Sequence, residues 1–161
     1  MILIRSENPF YESSEAGYRE KEMAEYLADR MSSLGLHVEA REVRPYRPNV
    51  FGYLNGTEGL FTLMLAGHMV VAKVLTESGV RLKGNLIVCG IRDEEYQMLG
   101  SKAIGLGGPK AHQGIIGEPS NFQIYPSNKG RVSTKIITRG LWLPTPACRK
   151  KASTPSCDAQ L

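Results

Sequence analysis

The segment that most constrains the fold is the apolar run at residues 86–91, which leads into three carboxylates, Asp93, Glu94 and Glu95. An uninterrupted apolar run of this length is typical of a strand buried on both faces. In open α/β sheets, ligands bind beyond the carboxyl ends of such strands. Adjacent carboxylates repel each other unless a cation or solvent separates them. The segment therefore predicts either a cation site or a solvated acidic turn.

The composition is that of an ordinary globular protein: 161 residues, of which 42% are hydrophobic and 22% charged. No apolar run approaches the roughly 20 residues that span a membrane, and the first residues do not have the pattern of a signal peptide. Three cysteines, an odd number, do not form a disulfide framework. The net charge of +4 is mild, and no basic face with interleaved aromatics precedes the tail. We therefore expect a cytoplasmic protein with no membrane and no nucleic-acid partner.

Hydrophobic periodicity predicts alternating helices and strands. Pro45 and Pro48 predict a turn, and Asn55-Gly56 is typical of a hairpin. The pattern predicts an α/β fold, with a mixed sheet flanked by helices on both faces. The predicted helices cover residues 15–34, 70–75 and 99–104, and the predicted strands cover residues 36–43, 49–54, 60–66, 86–91, 114–117 and 131–138.

Three of the apolar strands end in residues that bind metals in other proteins. His68 follows the first, Glu94 and Glu95 follow the second, and Glu118 follows the third. Singly, such a histidine is more often a hydrogen-bonded structural residue, and Gly-Glu-Pro is more often a turn. Together at matching positions they indicate a site, and imidazole with carboxylates suits zinc. A glutamate free of the metal could take a proton from a water whose pKa the metal lowers to about 7.

Four motifs in this order resemble those of a dizinc peptidase family, which includes acetylornithine deacetylase, succinyl-diaminopimelate desuccinylase, aminoacylase and carboxypeptidase G. The motifs are Leu-Ala-Gly-His at 65–68, Asp-Glu-Glu at 93–95, Gly-Glu-Pro at 117–119 and Lys-Gly at 129–130. The resemblance covers residues 2–140, and the ordered set is specific although each motif alone is weak.

The resemblance implies a metal-dependent hydrolase of the amide bond in N-acyl amino acids or small peptides. It implies two zinc ions per chain, with cobalt or manganese as alternatives. His68 and Glu118 would then share one metal, Glu95 would bind the other, and Glu94 would be the general base. The family commonly forms homodimers through a lid domain, which we expect to be missing from this chain.

The sequence departs from the family where the second metal-binding residue should follow. The family reads Gly-His-x-Asp, but the fourth position here is Val70, and the later aspartate that bridges both metals is missing. We therefore predict an internal deletion near residues 69–71 of a partial catalytic domain, residues 1–140. Because a catalytic zinc usually has three protein ligands, we expect weak metal binding and weak or no activity. The alternative is a catalytically dead remnant that acts only as a binding or subunit-pairing module.

The tail, residues 141–161, has no clear periodicity, where the family has a lid that opens with His-Ser-Ser-x-Pro-x-x-Gly-x-Asn-Ala-Ile. Reading the codons of residues 144–156 one base earlier allows His-Ser-Ser-Met-Pro-Glu-Glu-Gly-Ile-Asn-Ala-Ile. We therefore predict that the tail is an out-of-frame translation and disordered. The alternative is a native basic tail.

Overall fold

The protein was analysed as a computed structural model that describes residues 3, 4, 6, 20–94, 97–127, 130 and 132. The elements in chain order are α1 (Glu20–Ser33), β1 (His37–Arg44), β2 (Arg47–Leu54), β3 (Thr62–Ala66), α2 (Met69–Glu77), β4 (Asn85–Gly90), α3 (Leu99–Gly107) and β5 (Gln113–Ile116).

The five strands form one mixed sheet in the order β1-β2-β4-β3-β5. β1 and β4 both run antiparallel to β2, whereas β3 runs parallel to β4 and to β5. The carboxyl ends of β3, β4 and β5 therefore lie at the same edge of the sheet, and this edge carries the residues that follow them. Parallel neighbours require crossover connections, and α2 and α3 provide them.

The alternation of side chains along the strands divides the core between the two faces of the sheet. On one face, Leu86 and Val88 of β4 pack with Ala24 and Met31 of α1 and with Ala72 of α2. On the other face, a second cluster consists of Phe51, Ala66, Ile87 and Cys89, and Ile104 of α3 packs against it. The predicted α/β fold, with a mixed sheet and helices on both faces, is confirmed.

Two details of the predicted elements were wrong. Pro48 lies inside β2 rather than in a turn; it precedes the residues that pair with β4, so its missing N–H breaks no bond to that strand. Asn55-Gly56 does not close a hairpin, because β2 pairs with β1 and β4 and not with the next strand, β3. Instead the Gly56 N–H donates to Asn85 Oδ1 at 3.0 Å, which ties the end of β2 to the start of β4.

The chain divides into two compact units, residues 1–119 and 120–161. The first contains all the elements described above. In the second, the described residues include a turn in which the Gln123 N–H donates to the Ser120 carbonyl at 3.1 Å. The predicted strand at 131–138 and tail at 141–161 fall outside the described residues, apart from position 132, as do residues 15–19 of the first predicted helix. Within the described part of the chain, no helix has the length and apolar character that a membrane span requires.

Candidate functional site

Two of the predicted metal ligands follow adjacent parallel strands. Ala66 of β3 pairs with Ile116 of β5, and His68 and Glu118 each lie two residues beyond this pair. Because parallel strands end at the same edge of a sheet, both residues follow strands that end at this edge. The sequence predicted both residues at strand ends, and the structure makes those strands neighbours.

The hydrogen bond of the His68 ring determines which of its nitrogens is free. Nδ1 lies 2.8 Å from the carbonyl oxygen of Ala66, which also accepts the Gly117 N–H at 3.0 Å. Because a carbonyl oxygen can only accept, Nδ1 carries a proton, and in the neutral imidazole the lone pair is therefore on Nε2. A histidine that donates one ring N–H to a backbone carbonyl and presents the other nitrogen has the arrangement common among metal ligands.

The His68 ring also lies against the segment that precedes Glu118. A β-carbon built on Gly117 would come within 2.9 Å of Cε1 and 3.2 Å of Nε2 of the ring. Any larger residue at this position would therefore displace the imidazole. The contact fixes the ring beside the chain that leads to Glu118, a residue that is itself exposed.

Helix α2 begins directly after His68, at Met69, and His68 is its N-cap residue although its side chain makes no capping hydrogen bond. Val70, at the position where the resembling family has an aspartate, lies in the first turn of α2 and is 74% exposed. The strand, the histidine and the helix follow one another without an intervening segment, which is the arrangement that the predicted deletion would leave.

Asp93, the first of the three carboxylates, has a structural contact with the next helix. Its Oδ2 accepts the backbone N–H of Leu99, the first residue of α3, at 3.3 Å, and its carbonyl accepts the Met98 N–H at 2.8 Å. Both Asp93 and Met98 have left-handed backbones, with φ of 52° and 56°. These bonds close a tight loop from which Glu94 extends into solvent. Asp93 is therefore only 6% exposed, and the acidic turn is not uniformly solvated.

The buried side chain of Asn49 holds both ends of this loop. Its Oδ1 accepts the Arg92 N–H at 3.1 Å, and its Nδ2 donates to the Gly100 carbonyl at 3.0 Å. Asn49 is 2% exposed, so water does not compete for either hydrogen bond. Gly100 is required here, because a β-carbon would come within 2.6 Å of Asn49 Oδ1. One residue of β2 thus fixes the positions between which Glu94 and Glu95 lie.

The structure brings some predicted site residues together and leaves others apart. His68 and Glu118 lie on neighbouring strand ends, but Glu94 lines a pocket of about 500 Å³ beside α1, whereas His68 lines one of about 370 Å³ beside α2. Glu95 falls outside the described residues. Among the residues that are described, no three histidine, cysteine or acidic side chains form a group that could hold a metal ion.

Two residues near the site were not predicted from the sequence. Asn49 was recognised only as part of a strand, although an amide within an otherwise apolar strand signals a buried hydrogen-bonding role. Arg92 separates the apolar strand from the acids, and such a charged residue signals an ion-pair cluster. It is 5% exposed and lies near Glu20 and Arg47, which form an ion pair with each other. Burial, followed by the charge of Arg47, lowers the pKa of Arg92.

Solved structures that resemble this chain include two peptidases. A tripeptidase from Staphylococcus aureus matches with a TM-score of 0.50 and 18% identity, over 58% of this chain and 36% of the tripeptidase. The fold is shared with this tripeptidase. An M20 family metallo-carboxypeptidase from Sulfolobus solfataricus gives a TM-score of 0.43 and 20% identity, over 64% of this chain and 30% of the carboxypeptidase. AtUAH in complex with (S)-hydroxyglycine gives a TM-score of 0.47 and 19% identity, over 55% of this chain and 26% of AtUAH.

The matched part of this chain therefore spans only 26% to 36% of the length of these three solved structures. No protein-family model and no curated protein sequence matches it. At this level of identity, the likeness establishes the mixed α/β fold of the tripeptidase.

Proposed function

We propose that the chain derives from a metal-dependent hydrolase that cleaves the amide bond of N-acyl amino acids or small peptides, and that its own activity is impaired. The observation that carries the proposal is the position of His68 and Glu118, each two residues beyond the paired Ala66 and Ile116, with His68 Nε2 free to bind a metal. The likeness to a tripeptidase supports a small peptide as substrate.

The donor chemistry of these residues fits zinc, which takes imidazole nitrogen and carboxylate oxygen as ligands. His68 and Glu118 would hold one ion, and Glu95 would hold a second. When bound, the metal would polarise the amide carbonyl and make water a stronger acid. Glu94, exposed at the end of its loop, would accept the proton of the attacking water and deliver it to the departing amine nitrogen.

The same residues explain why we expect impaired activity. A catalytic zinc usually has three protein ligands, and the first ion would have two. Val70 occupies the position of a further acid and lies in α2 with an apolar side chain. In addition, Glu94 and His68 line separate pockets. Weak zinc binding with little turnover is therefore the expected behaviour of the purified chain.

Zinc titration by calorimetry tests the metal site, with His68→Ala as the test variant and His37→Ala as its control. His37 is an exposed histidine of β1, at the far edge of the sheet. We expect the His68 variant to lose zinc binding and the His37 variant to keep it. Absence of zinc binding by the unmodified chain, or equal binding by the two variants, would contradict the proposal.

Hydrolysis of N-acetyl amino acids, measured with added zinc, tests the impairment separately. We expect turnover at or just above the rate without protein. Turnover that is proportional to bound zinc and lost in Glu94→Gln would show instead that the chain is a competent enzyme.

A second candidate function is a catalytically dead module that acts by binding or by pairing with another subunit. The observation in its favour is that the described residues contain no group of three metal ligands. Metal analysis separates the two candidates: about two ions per chain supports the enzyme, whereas a metal-free chain supports the binding module.

A further inference from the structure

The guanidinium group of Arg92 is buried and makes no hydrogen bond to any residue that the structure describes. Its side chain is 2% exposed, and among the described residues none of its nitrogens, Nε, Nη1 and Nη2, has a hydrogen-bond partner. The nearest acids make ion-pair contacts that are too long for hydrogen bonds: Nε lies 3.8 Å from Glu20 Oε2, and Nη2 lies 3.7 Å from Asp93 Oδ2. Arg92 therefore has charge partners, but its donors are unused.

Unused donors on a buried charge are costly. Guanidinium carries five N–H groups in a planar fork, and leaving a buried charged group unsatisfied costs more free energy than leaving a neutral one unsatisfied. A carboxylate matches this fork with two parallel N–H···O bonds. The chemistry of Arg92 therefore points to an anion with two oxygens.

The surroundings of Arg92 indicate what else such an anion must carry. The residue lines the pocket of about 500 Å³, together with three acids and a group of apolar side chains. A dianion such as phosphate would face the carboxylates of Glu20, Asp93 and Glu94, whereas a monoanion meets less repulsion. The apolar lining consists of Met23, Ala24, Leu27, Pro48, Val50 and Ile91. A ligand with one carboxylate and an aliphatic body matches both parts of the pocket.

We propose that this pocket binds a small aliphatic monocarboxylate, with its carboxylate on the Arg92 guanidinium and its chain against the apolar side chains of α1 and β2. Each guanidinium nitrogen is buried in this structure, so the binding of a carboxylate requires a neighbouring side chain to move aside. The proposal requires neither a metal nor catalysis by Glu94, so it stands or falls independently of the hydrolase function.

The first test compares hexanoate with hexanamide, which has the same chain and no charge, on the unmodified 161-residue protein. Calorimetry is expected to show binding of hexanoate that is about tenfold or more tighter than that of hexanamide, because hydrogen bonds to charged groups are the stronger ones. Inorganic phosphate is expected not to compete. In nitrogen-15 NMR, hexanoate should shift the Nε resonance of Arg92. Equal binding of hexanoate and hexanamide, or no binding of either, would overturn the proposal.

The second test uses Arg92→Gln, with Arg81→Gln as the control because Arg81 is exposed and absent from the pocket lining. Circular dichroism establishes that each variant is folded. Arg92→Gln is expected to lose the preference for hexanoate over hexanamide, whereas Arg81→Gln keeps it. A folded Arg92→Gln protein that keeps the preference refutes the assignment. If Arg92→Gln does not fold, the nitrogen-15 shift of Arg92 Nε in the unmodified protein is the deciding measurement. Binding of hexanoate without a shift of this resonance refutes the assignment.

Discussion

The imidazole of His68 lies so close to Gly117 that a β-carbon there would come within 2.9 Å of its Cε1 atom. Gly117 does not have a left-handed backbone, so the glycine is required for space and not for conformation. The ring is held from the other side by the hydrogen bond from Nδ1 to Ala66. The orientation of His68 therefore depends on a residue of a different strand, which also leads to Glu118.

Replacing Gly117 with alanine should turn the imidazole away from the Ala66 carbonyl. Losing such a supporting contact typically weakens metal binding about 10- to 100-fold, and we expect a loss of that size for zinc. The fold should survive with a loss of about 1 kcal/mol, because a side-chain ring can move where backbone cannot. Calorimetric zinc titration and urea denaturation measure the two effects.

Gly114→Ala is the matched control for Gly117→Ala. Gly114 lies in β5, three residues before Gly117, but its added β-carbon would meet only the Met64 carbonyl oxygen, at an ordinary distance of 3.9 Å. Zinc affinity should be unchanged in this variant. Equal zinc affinity in the two alanine variants would show that the contact between Gly117 and His68 does not orient a metal ligand.

Asn49→Ala should destabilise the protein by about 1–3 kcal/mol, because it leaves the Arg92 N–H and the Gly100 carbonyl without their buried partner. Urea denaturation measures the loss, and Asn55→Ala, a change at an exposed asparagine, should cost much less. Amide hydrogen exchange should also become faster at Met98, whose N–H closes the loop onto the Asp93 carbonyl. Unchanged exchange at Met98 would mean that Asn49 does not hold the loop that carries Glu94.

Loss of the Tyr53 hydroxyl proton should make the protein less stable in alkaline solution. Burial, followed by the hydrogen bond of its hydroxyl to Glu39, raises the pKa of Tyr53 to about 12 from a usual value near 10. Between these values the folded protein keeps a proton that the unfolded chain has lost. The stabilisation is therefore complete below pH 10 and is lost as the pH rises towards 12.

Tyr53→Phe removes this titration, so its free energy of unfolding should fall less steeply over that pH range. After allowance for solvent screening, the difference is about 1–2 kcal/mol across the range. Urea denaturation at a series of pH values measures it, with Tyr125→Phe, an exposed tyrosine, as the control. Identical alkaline slopes for the Tyr53 variant and the unmodified protein would contradict the expectation.

The sequence predicted those parts of the fold that depend on local pattern. The uninterrupted apolar run before Asp93 is β4, buried through Leu86, Ile87, Val88 and Cys89. The sequence placed His68 and Glu118 beyond strand ends correctly, because each lies two residues after a short apolar strand. A strand end is a local property, and an α/β sheet gathers such ends at one edge.

The partners of those elements could not be predicted, since they depend on contacts between distant positions. Asn55-Gly56 has the local chemistry of a hairpin, yet β2 pairs with β4 rather than with β3. The bond from Asn49 to Gly100 joins residues 51 positions apart, and periodicity carries no information about it. The ion-pair cluster around Arg92 likewise combines residues from α1, β2 and the end of β4.

β4 contributes alternate side chains to two separate cores, Leu86 and Val88 to one and Ile87 and Cys89 to the other. Deleting or adding one residue within this strand would exchange the two sets, because each following side chain would point to the opposite face. It would also shift Glu94 by one position relative to β3. During evolution, length changes in this protein are therefore acceptable in exposed connections such as residues 78–81, whereas the length of β4 is fixed by both cores at once.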